Sequence, residues 1–269
     1  MDWSLVLLSQ GIESLVSTTE SGWSLVVEPG DHERALETLE KYRRENRGWR
    51  WQQRLRWPEF SFHFGALLWC LVLVAFHCLP STHLRVAGTM HSDAVLNGAW
   101  WQLFTAIALH ANLGHLMGNL TTGFLLLGLA MGRYGPGGAL LAAYLSGAAG
   151  NFVGVLLHAA PYRGVGASGM IMGGLGLLAV QTLAATRAGP LLTRHLVTGL
   201  FAGLMLFVLL GVDPASDVVA HVGGFLAGLL FGGLMTALSR KKAFGAKANI
   251  AAASILGLLF VITWAMALR

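Results

Sequence analysis

Long apolar runs, most of them near the length of a membrane span, govern what this 269-residue chain can fold into. About 20 apolar residues cross the hydrocarbon core of a bilayer. A backbone in lipid must satisfy its own hydrogen bonds, which leaves helices as the fold for such runs. They read as Phe64–Leu79, Trp101–Met131 with the span proper in its second part, Gly137–Ala160, Ser168–Ala185, Leu191–Val212, Val218–Leu238 and Ile250–Leu268. Charged residues make up only 12% of the chain, against about 25% in soluble domains. The expected class is an all-α polytopic membrane protein with seven spans.

Lys and Arg accumulate in cytoplasmic loops, so their positions orient the spans. With the N-terminus inside, Arg133, Arg187, Arg194, Arg240, Lys241, Lys242 and Lys247 are cytoplasmic, together with eight basic residues of the N-terminal tail. Only Arg85, Arg163 and Arg269 fall outside. Topology therefore accounts for the net charge of +5, and a nucleic-acid partner has no support beyond it. No secretory signal peptide is expected, because the N-terminus runs into polar sequence. Cys70 and Cys78 share the first span, too far apart for a bridge within one helix, and are expected to be free thiols.

The first 57 residues differ in kind from the rest. Glu13–Glu20 and Trp23–Glu28 read as strands joined at Ser21-Gly22. A helix follows from an Asp31 N-cap through Glu45, with Leu36, Leu39 and Tyr42 on one face and Glu37 four residues before Lys41. The result is a small α+β cytoplasmic module with little core. The Arg- and Trp-rich stretch Arg43–Arg56 reads as an anchor at an anionic bilayer surface, with a regulatory peptide-binding role as the alternative. The loop Pro80–Ala99, ending at Trp100-Trp101, suits an amphipathic element in the membrane interface or a plain aromatic belt.

Polar side chains within spans are costly and mark function. His110, His115 and Asn119 come early in the second span, Ser168 opens the fourth within Gly166-Ala167-Ser168-Gly169, and His221 is the fourth residue of the sixth. In the topology drawn from Lys and Arg alone, all of them share the outer half of the membrane. His115 and Asn119, four apart, lie on one helical face. Gly169, Gly173 and Gly176 form one ridge, and Gly224, Gly228 and Gly232 continue the face of His221. Glycine ridges allow close backbone approach, so if the two face each other Ser168 meets His221. Serine needs such a base to become a nucleophile. An oxyanion would then find donors in the Asn119 amide, a His115 ring N–H and the Ser168 backbone N–H. Asp217, one turn before His221, suits a cap or loop role better than a triad role. His77, His158 and His195, near span ends, read as packed or carbonyl-bonded.

Through His110-x4-His115-x3-Asn119, Gly166-Ala167-Ser168-Gly169 and Ala220-His221-x-Gly223-Gly224, residues 64–238 resemble the rhomboid family of intramembrane serine proteases. The resemblance implies a six-helix core, a Ser168–His221 dyad, oxyanion stabilisation by His115, Asn119 and the Ser168 backbone, and His110 supporting that site. Gly166 and Gly169 frame the serine. It implies no cofactor and no metal, and it implies single-pass transmembrane substrates entering laterally from the lipid bilayer, with cleavage near the outer leaflet. The expected location is a bacterial plasma membrane, and the oligomeric state is left open. The division is then 1–57 as module and linker, 58–238 as the six-helix catalytic membrane domain, and 239–269 as a basic loop and an extra seventh span. Two positions depart from the family pattern: Gln102 replaces an Arg after Trp101, and Met172 replaces an aromatic expected to pack on the catalytic imidazole.

Two other classes compete. Intramembrane His and Asn also suit a transporter pathway or a protein that binds membrane helices without cutting them. No acidic residue lies deep in a span and no span is broken near mid-membrane, which argues against both. Haem or metal ligation would use His115 and His221, but no carboxylate or cysteine joins them at that level. By elimination, the fifth span is the expected gate for substrate.

Overall fold

A computed structural model describes residues 2–19, 22–47, 61–78, 81–180, 201, 203–205, 217–239 and 245–269. It divides into two compact units, Met1–Arg56 and Trp57–Arg269.

In the first unit, helix α1 (Asp2–Ser9) precedes strands β1 (Ser14–Thr19) and β2 (Gly22–Val27), which pair antiparallel from Ser14↔Val27 to Thr19↔Gly22. Helix α2 (His32–Glu45) follows. The expected strands and helix are present, and α1 is an addition that the sequence reading missed. The core is small: Leu7, Ile12 and Ala35, with Leu25, Val27 and Leu39 packed against it. The inward face of α2 thus runs through Ala35 and Leu39, four apart. Leu36, expected on that face, is 51% exposed. Asp31 occupies the N-cap position but makes no capping bond; its carboxylate pairs instead with Arg34 at 3.2 Å. The Arg- and Trp-rich stretch falls largely outside the described residues.

The second unit is helical, built from α3 (Ala66–Cys78), α4 (Thr82–Gly88), α5 (Ser92–Leu96), α6 (Gln102–Thr105), α7 (Leu113–Tyr134), α8 (Pro136–Leu157), α9 (Ser168–Ala179), α10 (Val218–Ser239) and α11 (Ala246–Ala267). Among the described residues, α7, α8, α10 and α11 are long and apolar enough to cross a membrane. Each has 22 residues, or about 33 Å at 1.5 Å per residue, which matches a hydrocarbon core of about 30 Å. The chain is an integral, multi-pass membrane protein. The expected fifth span and gate, Leu191–Val212, lies outside the described residues except for helical positions at 201 and 203–205.

Helix α8 packs against α7, α9, α10 and α11. The α7–α8 connection is a single residue, Gly135, at φ +83°, with Pro136 opening α8. Glycine tolerates that backbone and proline suits a first helical position, so the sequence dictates this tight reversal. The loop expected at Pro80–Ala99 holds α4, the two-residue strand β3 (Met90–His91) and α5, with Val86, Leu96 and Trp100 exposed. Strand β3 pairs antiparallel with β4 (Arg163–Gly164), which ties this loop to the segment that leads into Ser168. Gln102, at the departure from the family pattern, accepts the His91 backbone N–H at 3.0 Å, so a neutral side chain holds the loop here. Cys70 is buried and Cys78 exposed, both as free thiols.

Candidate active site

The two glycine ridges meet. A Cβ on Gly224 of α10 would run into the carbonyl of Gly169 on α9, with the Gly169 carbonyl carbon at 2.9 Å and its Cα at 3.1 Å. One turn on, a Cβ on Gly228 would meet the carbonyl of Gly173, and a Cβ on Gly232 the Leu177 Cα at 3.1 Å. From the other side, a Cβ on Gly176 would overlap the Phe225 carbonyl. Backbone therefore lies directly on backbone along this seam, which only residues without side chains permit. Gly173 itself faces Ser146 of α8, and a Cβ on Gly169 would rest at an ordinary 3.6 Å from the carbonyls of Ala220 and Gly147. Gly169 thus contributes through its carbonyl, which occupies the space Gly224 leaves.

The seam ends in a cleft of about 730 Å³. Ser168, the first residue of α9, and His221, in the first turn of α10, both line it, with His115 and Asn119 from α7. The structure thus gathers four of the singled-out residues on one cavity. Ser168 is half-buried and His221 almost fully buried. The His115 ring abuts Gly166, whose absent Cβ would lie 2.6 Å from Cε1. Gly166 adopts φ +135°, a backbone that disfavours any side chain, and its N–H donates to the Ala106 carbonyl at 2.9 Å. Glycine is required twice over at this position, two residues before the serine.

Asn119 is buried, and one of its amide N–H groups donates to the His115 carbonyl at 2.9 Å, which fixes the side chain. A primary amide carries a second N–H. His110 precedes α7, buried behind the cleft wall with its ring 5.2 Å from that of His115. It does not line the cavity. Met172 lines the cleft one turn after Ser168, at the position expected to hold an aromatic. Among the described residues, no three His, Cys, Asp or Glu side chains converge as metal ligands.

Several cleft residues escaped the sequence reading. Asn112 caps α7, accepting the His115 backbone N–H at 2.8 Å, an arrangement an Asn just before a helix signals. Asn151 lies on the buried helix α8 and donates to the Leu103 carbonyl at 2.7 Å. His158, expected to be packed or carbonyl-bonded, instead pairs with Asp217 at 3.0 Å and stacks on Tyr162, because the α8–α9 loop folds back to the start of α10. No sequence spacing connects residues that far apart. His195 lies outside the described residues.

Fold and site together define a multi-pass helical membrane protein with a serine and a histidine on one cleft at the end of a glycine seam. Residues 97–238, more than half of the chain, match the family model described as the Rhomboid domain, and the chain belongs to the rhomboid family, a family of intramembrane proteases. It is similar to the rhomboid protease GluP of Bacillus subtilis (strain 168), 29% identical over 197 residues, which cover 70% of this chain and 37% of GluP. YdcA of the same organism is 31% identical over 173 residues, covering 64% of this chain and 86% of YdcA. RHOMBOID-like protein 1 of Arabidopsis thaliana is 32% identical over 166 residues, covering 55% of this chain and 36% of that protein. The chain thus spans little more than a third of GluP and most of YdcA.

Proposed function

We propose that this chain is an intramembrane serine endopeptidase that cuts transmembrane helices through a Ser168–His221 dyad. The observation that carries the reading is the backbone seam between α9 and α10, which ends with Ser168 and His221 on one cleft.

The chemistry follows from the residues. His221 takes the Ser168 proton as Oγ attacks the scissile carbonyl, and it later gives that proton to the leaving amine. The tetrahedral oxyanion is held by the Ser168 backbone N–H, the free amide N–H of Asn119 and a ring N–H of His115, with a removed donor costing about 2.7–4 kcal/mol of transition-state stabilisation. Water then hydrolyses the acyl-enzyme by the same base. Substrates are single-pass transmembrane proteins, entering from the bilayer. A helix hides its carbonyls in hydrogen bonds, so cut sites carry small or helix-breaking residues.

The charge distribution supports a cytoplasmic N-terminus and, with Ser168 at the outer end of its helix, cleavage near the outer leaflet; the likeness to the Bacillus subtilis proteins supports a bacterial plasma membrane. On this reading residues 1–57 are an accessory cytoplasmic module and linker, 58–238 the catalytic domain, and 239–269 a basic loop and an extra span.

Purified protein in liposomes, with a transmembrane substrate and a fluorophosphonate probe, tests the proposal. The probe is expected to label the wild type but not Ser168→Ala, and cleavage is expected to vanish in both Ser168→Ala and His221→Ala. Undiminished cleavage by Ser168→Ala ends the reading.

A further inference from the structure

Asp217 stands one turn before His221, and its carboxylate is shared among three partners. Oδ1 accepts the Ala220 backbone N–H at 3.0 Å and lies 3.0 Å from His158 Nε2. Oδ2 accepts the Tyr162 hydroxyl. The His158 and Tyr162 rings stack, with centroids 4.4 Å apart and planes 25° from parallel. These residues come from the C-cap of α8, the α8–α9 loop and the start of α10. Burial pushes the Asp217 carboxyl upward, but the Ala220, Tyr162 and His158 donors outweigh it and hold the group below its ordinary value. Burial and the neighbouring carboxylate both push the Tyr162 phenol up. At neutral pH the pair is an anion and a hydroxyl donor, which makes a strong hydrogen bond.

The same loop is gripped on its other side. Ser92 donates its N–H to the Tyr162 carbonyl at 2.9 Å and accepts the Tyr162 N–H on its hydroxyl at 3.1 Å. Gly164 pairs with Met90, and Gly166 donates to Ala106. Two residues later comes Ser168.

We propose that Asp217, His158 and Tyr162 form a clasp that positions His221 against Ser168, by joining the loop that feeds the serine to the first turn of the histidine's helix. The inference rests on the dyad reading above. The three are positioning residues, since their contacts run to one another and to backbone. The glycine seam fixes how closely α9 and α10 approach, whereas the clasp fixes where the first turn of α10 sits along the loop.

The test uses the full chain in detergent micelles, with two readouts: the fluorophosphonate labelling rate at varied probe concentration, and hydrogen exchange in residues 217–224. Tyr162→Phe is expected to slow labelling about 10- to 100-fold, the range that sub-ångström to ångström misplacement produces. The loss should fall on the maximal rate, not on the probe concentration for half-saturation, and exchange in the first turn of α10 should rise. Asp217→Asn should do the same, and the double variant should be no slower than the slower single one, because both break one clasp. His158→Gln, which keeps a donor, should label faster than His158→Ala. Multiplicative losses in the double variant, or full-rate labelling of Tyr162→Phe and His158→Ala, overturn the clasp. Labelling of Ser168→Ala overturns the dyad instead, and exchange in 217–224 then judges the clasp on its own: unchanged exchange in Tyr162→Phe sinks it.

Discussion

Gly224→Ala tests the seam where it bears most directly on the site. The added methyl would sit 2.9 Å from the carbonyl carbon of Gly169 and 3.1 Å from its Cα, nearer still to the carbonyl oxygen, and the obstacle is backbone that no rotamer change can clear. Ordinary van der Waals contact begins near 3.4 Å and the carbonyl oxygen is the nearest obstacle, so α9 and α10 must part by about an ångström in an interior packed to crystal density. Overpacking of this kind costs about 1–3 kcal/mol, offset by about 1 kcal/mol because alanine is the better helix former. Because Gly169 follows Ser168 directly and Gly224 lies one turn after His221, the parting is transmitted to the proposed Ser168–His221 dyad. A shift of that size should slow fluorophosphonate labelling by about tenfold or more. The assay pairs labelling rate with thermal unfolding in detergent, and Gly233→Ala is the control. Gly233 lies on the same helix with no described atom within 4 Å of where its Cβ would stand, so that variant should label normally and unfold no earlier. Wild-type labelling by Gly224→Ala at undiminished stability would refute the argument that direct backbone contact aligns the dyad.

Gly166→Ala meets a positive φ and the His115 ring together, so it should cost about 1–3 kcal/mol and slow labelling, read by thermal unfolding and probe kinetics. Trp264→Ala removes a buried indole that packs on Gly88, on Leu109 and on Phe76 at 4.7 Å, and should lower stability by about 3–5 kcal/mol in the same unfolding assay. The Asp217 carboxyl is held below 3.8 in the folded chain, so its contribution is present above about pH 4 and is lost as pH falls through the lower folded value. Asp217→Asn should flatten that acid limb when unfolding temperature is followed from pH 6 to pH 3.

The spans and the seam were legible because each rests on a period. Apolar length marks a membrane helix, and glycines at spacings of three and four mark a face. Starts and ends of α8, α10 and α11 fall within a few residues of the expected spans for that reason. Ser168, His221, His115 and Asn119 could be grouped because they sit in or beside periodic elements. The clasp could not be grouped, since Tyr162 lies in a loop and reaches Asp217 across 55 residues. Leu36 failed for the opposite reason. In a module whose buried core is three residues, α2 turns its smallest apolar side, Ala35, inward, and periodicity alone does not separate positions 35 and 36.

The caps of three helices bear on where the proposed reaction would hold its oxyanion. Helices α7, α9 and α10 all begin at the cleft, and every helix start offers unpaired N–H groups and the positive end of its dipole. Asn112 takes the His115 N–H of α7, and Asp217 takes the Ala220 N–H of α10. Helix α9 differs: its N-cap is Ala167, buried and without a side chain able to cap. No side chain at the N-cap therefore competes for the first-turn N–H groups that begin at Ser168, the donor the proposed reaction assigns to the oxyanion. A capping side chain at 167 would have to enter a fully buried site whose backbone is helical (φ −80°, ψ −3°), where extra atoms overpack the core and the extended N-cap geometry is absent. An alanine in front of the serine thus suits the packing and, on the proposed mechanism, leaves the helix start uncapped for substrate.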